Sequence, residues 1–85
     1  MLRLHPDVVD LLVTDEGALV ILRGELLRLG PVAALIAAAC ATSMALEDLA
    51  ERCEEEFGVP PGADTLTTVR ELVGDLVDSG VLTGG

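Results

Sequence analysis

The side chains able to do chemistry are few: one histidine, His5, two cysteines, Cys40 and Cys53, and fifteen carboxylates in a chain of 85 residues. Nucleophilic catalysis needs a Ser or Cys beside a base that is itself held in place, and the one imidazole stands near the start of the chain, where a mobile end is expected. A metal site calls for more ligands than two thiols and an imidazole distant from both. The carboxylates fall on what read as helix faces without a polar cluster around them, and no glycine-rich phosphate loop follows a strand. The chain is therefore expected to bind rather than to catalyse, with no cofactor and no metal.

Charge narrows what it could bind. Five basic residues, all arginine, stand against the fifteen acids, for a net charge of −10. Nucleic-acid affinity comes largely from cations that displace counterions from phosphates, so such a field argues against nucleic acid and against anionic membrane surfaces. The longest uncharged stretch, Leu29 to Leu46, is alanine-rich and falls short of the roughly 20 strongly apolar residues that a bilayer span needs. The start of the chain reaches His5, Pro6 and Asp7 without the apolar core of a secretory signal, which makes the cytoplasm the expected compartment. In that setting Cys40 and Cys53, both with apolar neighbours, read as small hydrophobes, and a disulfide between them is open but unneeded.

The elements that must position these residues follow from periodicity and turn chemistry. One domain over residues 1–85 is expected, because a chain this short has apolar area for one core. Strands are expected at about 8–14, 18–23 and 25–29, joined by Thr14-Asp15-Glu16-Gly17 and by a tight Arg23-Gly24 turn. Helices follow at about 31–41, 45–57 and 64–79. The first opens on Gly30-Pro31 and is apolar all round, which demands burial on most of its faces. The second places Leu46, Leu49, Ala50, Cys53 and Phe57 at helical spacing and turns Glu51, Arg52, Glu54, Glu55 and Glu56 outward, a solvated face or a docking surface for a basic partner. Val59 to Ala63 reads as a linker, Asp64 as the cap of the third helix, and Val81-Leu82 can close the chain as a further strand. The expected fold is thus α+β, winged helix-turn-helix-like, with a three-stranded antiparallel β-meander followed by three α-helices. Asp78-Ser79 looks like the Asp-Ser pair of acyl carrier proteins, but it falls at the end of a helix in a chain whose first third reads as strands.

Three segments carry a further resemblance: LLRLGP at Leu26 to Pro31 entering an apolar helix, the acidic ALEDLAERCEEEFGVP at Ala45 to Pro60, and VRELVGDLVDSGVL at Val69 to Leu82. Their order and spacing, from Gly17 to Leu82, resemble the PqqD-like domains, the recognition elements of ribosomally synthesised and post-translationally modified peptide (RiPP) biosynthesis. Many such domains carry aromatics in the β-ribbon, whereas Phe57 is the one aromatic here.

The resemblance implies that a precursor's leader peptide adds as a strand to the edge formed by Glu25, Leu26, Leu27, Arg28 and Leu29. A wall from the third helix, Leu66, Val69, Arg70, Val73 and Val77, would line the groove, and Arg28 and Arg70 would meet a leader carboxylate. It also implies a separate modifying enzyme or leader peptidase as partner, in a lasso-peptide or a radical-SAM pathway. Two other readings share the same elements. A winged-helix DNA-binding regulator would use the third helix, where Asp64, Glu71, Asp75 and Asp78 stand against Arg70 alone. A small adaptor would form a homodimer through the same strand edge.

Overall fold

The computed structural model describes residues 1–59, 62 and 64–84. Its elements run β1 (Leu2–Leu4), β2 (Val8–Thr14), β3 (Gly17–Leu22), β4 (Glu25–Leu29), α1 (Pro31–Ala39), α2 (Leu46–Phe57), α3 (Thr65–Ser79) and β5 (Leu82–Gly84). β2, β3 and β4 form an antiparallel sheet in that order, and the three helices follow it, which is the expected α+β fold. β1 and β5 make a second, two-stranded sheet.

Alternation sets the inner face of the meander. Ala18, Val20 and Leu22 are buried, and on the neighbouring strands Leu11 and Leu27 lie opposite Val20 while Leu29 lies opposite Ala18. α1 covers this face with Ala34, Ile36 and Ala37, and the core continues through Leu49 and Cys53 of α2 to Val69, Val73 and Leu76 of α3. Gly17 is required where β2 turns into β3: its φ is 147°, and a Cβ there would collide with the Leu29 carbonyl.

Both ends of α3 carry local signals. The Asp64 carboxylate accepts from the Leu66 N–H at 3.3 Å, and Gly80, left-handed at φ 87°, stops the helix while the Val81 N–H reaches back to the Leu76 carbonyl at 2.9 Å. The first helix ends at Ala39, two residues before the expected end, because Cys40 already leaves helical geometry as its cap. The expected linker at 59–63 lies mostly outside the described residues; Val59 and Gly62 are described.

The start of the chain corrects the sequence expectation. His5 does not sit on a mobile end: its N–H donates to the Val81 carbonyl at 2.9 Å, and its Nδ1 accepts from the Asp7 N–H at 3.0 Å. β1 pairs with β5 on one side, Leu4 opposite Leu82, and on the other exchanges two hydrogen bonds between Leu2 and Met44, of 2.7 and 2.8 Å. Leu2 and Leu4 thereby cover the core, a tertiary gain that three residues of local sequence do not announce. The closing strand also starts one residue later than expected, with Val81 fully buried before it.

Candidate functional site

The Arg23-Gly24 turn decides how β4 presents its backbone. Both residues have positive φ, 52° and 79°, the type I′ geometry of a two-residue hairpin, so Leu22 and Glu25 close it as a hydrogen-bonded pair. Hydrogen-bonded and non-bonded pairs alternate along an antiparallel ladder. The main-chain N–H and C=O groups of Glu25, Leu27 and Leu29 therefore point at β3, and those of Leu26 and Arg28 point away from the sheet. Among the described residues no strand lies on that side.

The opposite edge is built differently. β2 pairs with β3 in a register broken between Val8 and Asp10, a bulge that leaves Val9 unpaired and 76% exposed. Bulges and inserted charges are devices that stop an edge from templating another strand. β4 keeps an unbroken register over its five residues, with Glu25 and Arg28 as its charges.

Side chains divide the same way. Leu27 and Leu29 are half-buried against the core, whereas Glu25, Leu26 and Arg28 are exposed. On α3, Leu66 packs on the core at its margin, and Arg70 and Val77 are exposed. Val69 and Val73 differ from the expectation that they line a groove: at 1% and 7% exposure they are core residues, because the stripe through Val69, Val73 and Leu76 is the buried one, on a helix that packs against α1, α2 and β5. Leu66, Arg70 one turn on and Val77 two turns further are the part of the set that solvent or a ligand can reach.

Arg28 and Arg70 form no ion pair among the described residues, while Arg23 donates from Nε to the Asp7 carboxylate at 2.9 Å. Where the β2–β3 turn meets the end of β4, an open depression of about 500 Å³ is lined by Asp15, Glu16, Arg28 and Leu29 among others. Cys40 and Cys53 are free thiols in the core, and burial pushes Cys40 up to about 11 and raises Cys53 in the same direction. A thiol held protonated there is inert as a nucleophile. Sequence reasoning missed which main-chain groups of β4 face outward. The signal was present in Arg23-Gly24, since a two-residue turn fixes the hydrogen-bonding phase of the strand that follows it.

A short ribbon with one regular open edge, followed by three helices and closed by a strand pair from the two ends of the chain, defines a small α+β domain of the winged-helix kind. The sequence model for coenzyme PQQ synthesis protein D (PqqD) matches residues 4–82, and the chain belongs to the PqqD family. The resemblance to PqqD-like recognition elements read from the sequence holds. A solved structure described as lasso peptide synthetase B1 complexed with the leader peptide superposes with a TM-score of 0.74 at 27% identity, over 98% of each chain. No curated protein sequence matches the chain.

Proposed function

We propose that this protein binds the leader segment of a ribosomally made precursor peptide by strand addition to β4 and hands it to a separate modifying enzyme or leader peptidase. The observation that carries the reading is the uninterrupted, unpaired β4 edge, in a fold that matches over nearly its whole length a protein solved with a leader peptide. Leu26 and Arg28 supply the main-chain hydrogen bonds, and the bound strand lies toward α3, where Leu66 and Val77 offer apolar contact. Arg28 and Arg70 pair with leader carboxylates. Glu25, Leu27 and Leu29 set the width of the groove, with Val69 and Val73 holding α3 in place behind it. The role is delivery, and the chemistry belongs to the partner enzyme.

A two-dimensional NMR titration of labelled protein tests this, using the leader of a short precursor encoded beside its gene and a scrambled peptide as control. Saturable shifts at Glu25 to Leu29 and at Leu66, Arg70 and Val77, absent with the scrambled peptide, are expected. Flat spectra at high peptide excess, together with concentration-dependent sedimentation, would replace this reading with a homodimer through the same edge.

A further inference from the structure

α1 is apolar along its whole length, yet the fold does not cover all of it. Ala34, Ile36 and Ala37 are buried, whereas Leu35 and Ala38 lie at the floor of an open groove between the end of β2 and the end of α2. Val13, 54% exposed, stands on one side of that floor and Phe57, 49% exposed, on the other. The groove, about 310 Å³ here, runs on past Leu35 and Glu56 into a second hollow of about 590 Å³ that reaches Met44. Along α1 the lining runs from Pro31 to Ala38, roughly two helical turns or ~11 Å.

The rim of this apolar floor is acidic. Asp48, Glu51, Glu55 and Glu56 of α2 stand along it with Arg52 as the one cation, and Asp15 closes its far end. Helix stability does not account for that arrangement. Glu51 and Glu55 are like charges one turn apart, and Glu54, Glu55 and Glu56 crowd the negative end of the α2 dipole, where no basic residue offsets them. Among the described residues none of these carboxylates is in an ion pair.

We infer that this groove is a second docking surface, and that its occupant is a basic amphipathic helix of a partner protein, with apolar side chains on the α1 floor and Arg or Lys along the α2 rim. Charge decides the occupant. A second copy would bring the same carboxylates against themselves, and an anionic lipid or nucleic acid would be repelled by a chain of net charge −10. A helix laid on an apolar groove with a complementary rim is an established mode of peptide capture. The groove lies on the β2 side of the sheet and the open edge on the β4 side, with β3 between them, so both can be filled at once. Resting on the delivery role proposed above, the partner is the enzyme that receives the peptide.

The test uses fluorescence anisotropy with two labelled 16-residue synthetic helices of about four turns. They share a leucine face and differ in flanking arginines or flanking glutamates. The arginine helix is expected to bind saturably and the glutamate helix at least about tenfold more weakly. The double variant Glu51→Lys/Glu55→Lys, which puts good helix formers at both positions and one lysine near the negative end of α2, is expected to weaken the arginine helix by about tenfold or more. Phe57→Ser should weaken it by about fivefold. Glu71→Lys/Asp75→Lys on α3 shifts the net charge equally and should change it by less than about twofold. Equal losses from the two double variants would reduce the effect to the overall field and overturn the inference, as would equal binding of both helices or no effect of Phe57→Ser. Titration of the same variants with the leader peptide separates the two proposals: groove binding lost with leader binding intact sustains both, and leader binding absent in the unaltered protein sinks the delivery role while the groove result still stands.

Discussion

Leu26 and Leu27 are neighbours in sequence and opposites in the fold. Leu27 is half-buried over the core with its main chain bonded to Val20, while Leu26 is 61% exposed and its N–H and C=O face away from the sheet. α3 repeats the division: Val69 and Leu76 are sealed into the core, and Arg70 and Val77, each the next residue along, are open. In both elements one side is committed to folding and the adjacent side is left over. A strand that alternates and a helix that turns 100° per residue separate these jobs without any extra structure. Stability and binding should therefore be separable by substitutions one or two residues apart.

The largest effect expected of breaking this division is at Leu27. Leu27→Pro removes a hydrogen bond between β4 and β3 and should cost about 3 kcal/mol or more, read as a lost or strongly shifted urea midpoint. Val69→Ala empties space in the core and should cost about 2 kcal/mol, with leader binding by the folded fraction unchanged. If Val69→Ala weakened binding while stability held, Val69 would belong to the groove after all.

The buried thiols sharpen the committed side by a different route. The chain has no lysine and no tyrosine, so between pH 9 and 11 the thiols are the side chains that titrate. Burial raises Cys40 from 9.0 to about 11, so the folded state keeps a proton that the unfolded state releases. Stability should be constant below about pH 9 and fall by about 2 kcal/mol as the pH rises to 11. Denaturation midpoints against pH should show this, with most of the slope gone in Cys40→Ala.

On the open side, Leu26→Pro removes an N–H that faces no protein strand, so the hairpin should persist. Binding of the leader should nevertheless fall by about tenfold, close to 1.4 kcal/mol, in a calorimetric titration. Arg70→Ala should be the smallest change, a loss of affinity of about two- to fivefold that fades with added salt, and unaltered stability. Equal stability losses for Leu26→Pro and Leu27→Pro would show that the phase assigned to β4 is wrong.

Several features were legible in the residues themselves. The Thr14 to Gly17 and Arg23-Gly24 turns, the Gly30-Pro31 helix start and the Asp64 cap are local signals, each acting within a few residues, and the structure places these elements within a residue or two of their expected bounds. The candidate edge at Glu25 to Leu29 came from the resemblance to PqqD-like domains and not from the residues of that strand alone. The N-terminal strand was not legible. Leu2 to Leu4 is three residues long and forms only because Leu82 to Gly84 and Met44, remote in sequence, offer backbone partners.

Composition and periodicity by themselves determined the α+β class of the fold and the acidity of the chain, because each depends on residue types and on spacings within one element. Only the tertiary structure decided which half of the α3 stripe is core. A wide apolar stripe has the same sequence whether it is buried or bared, and what covers it comes from other elements. The same holds for α1, whose uninterrupted apolar surface asked for cover on every side. Where β2 and α2 stop short of it, Leu35 and Ala38 lie in a groove that no reading of the helix alone could have shown to be open.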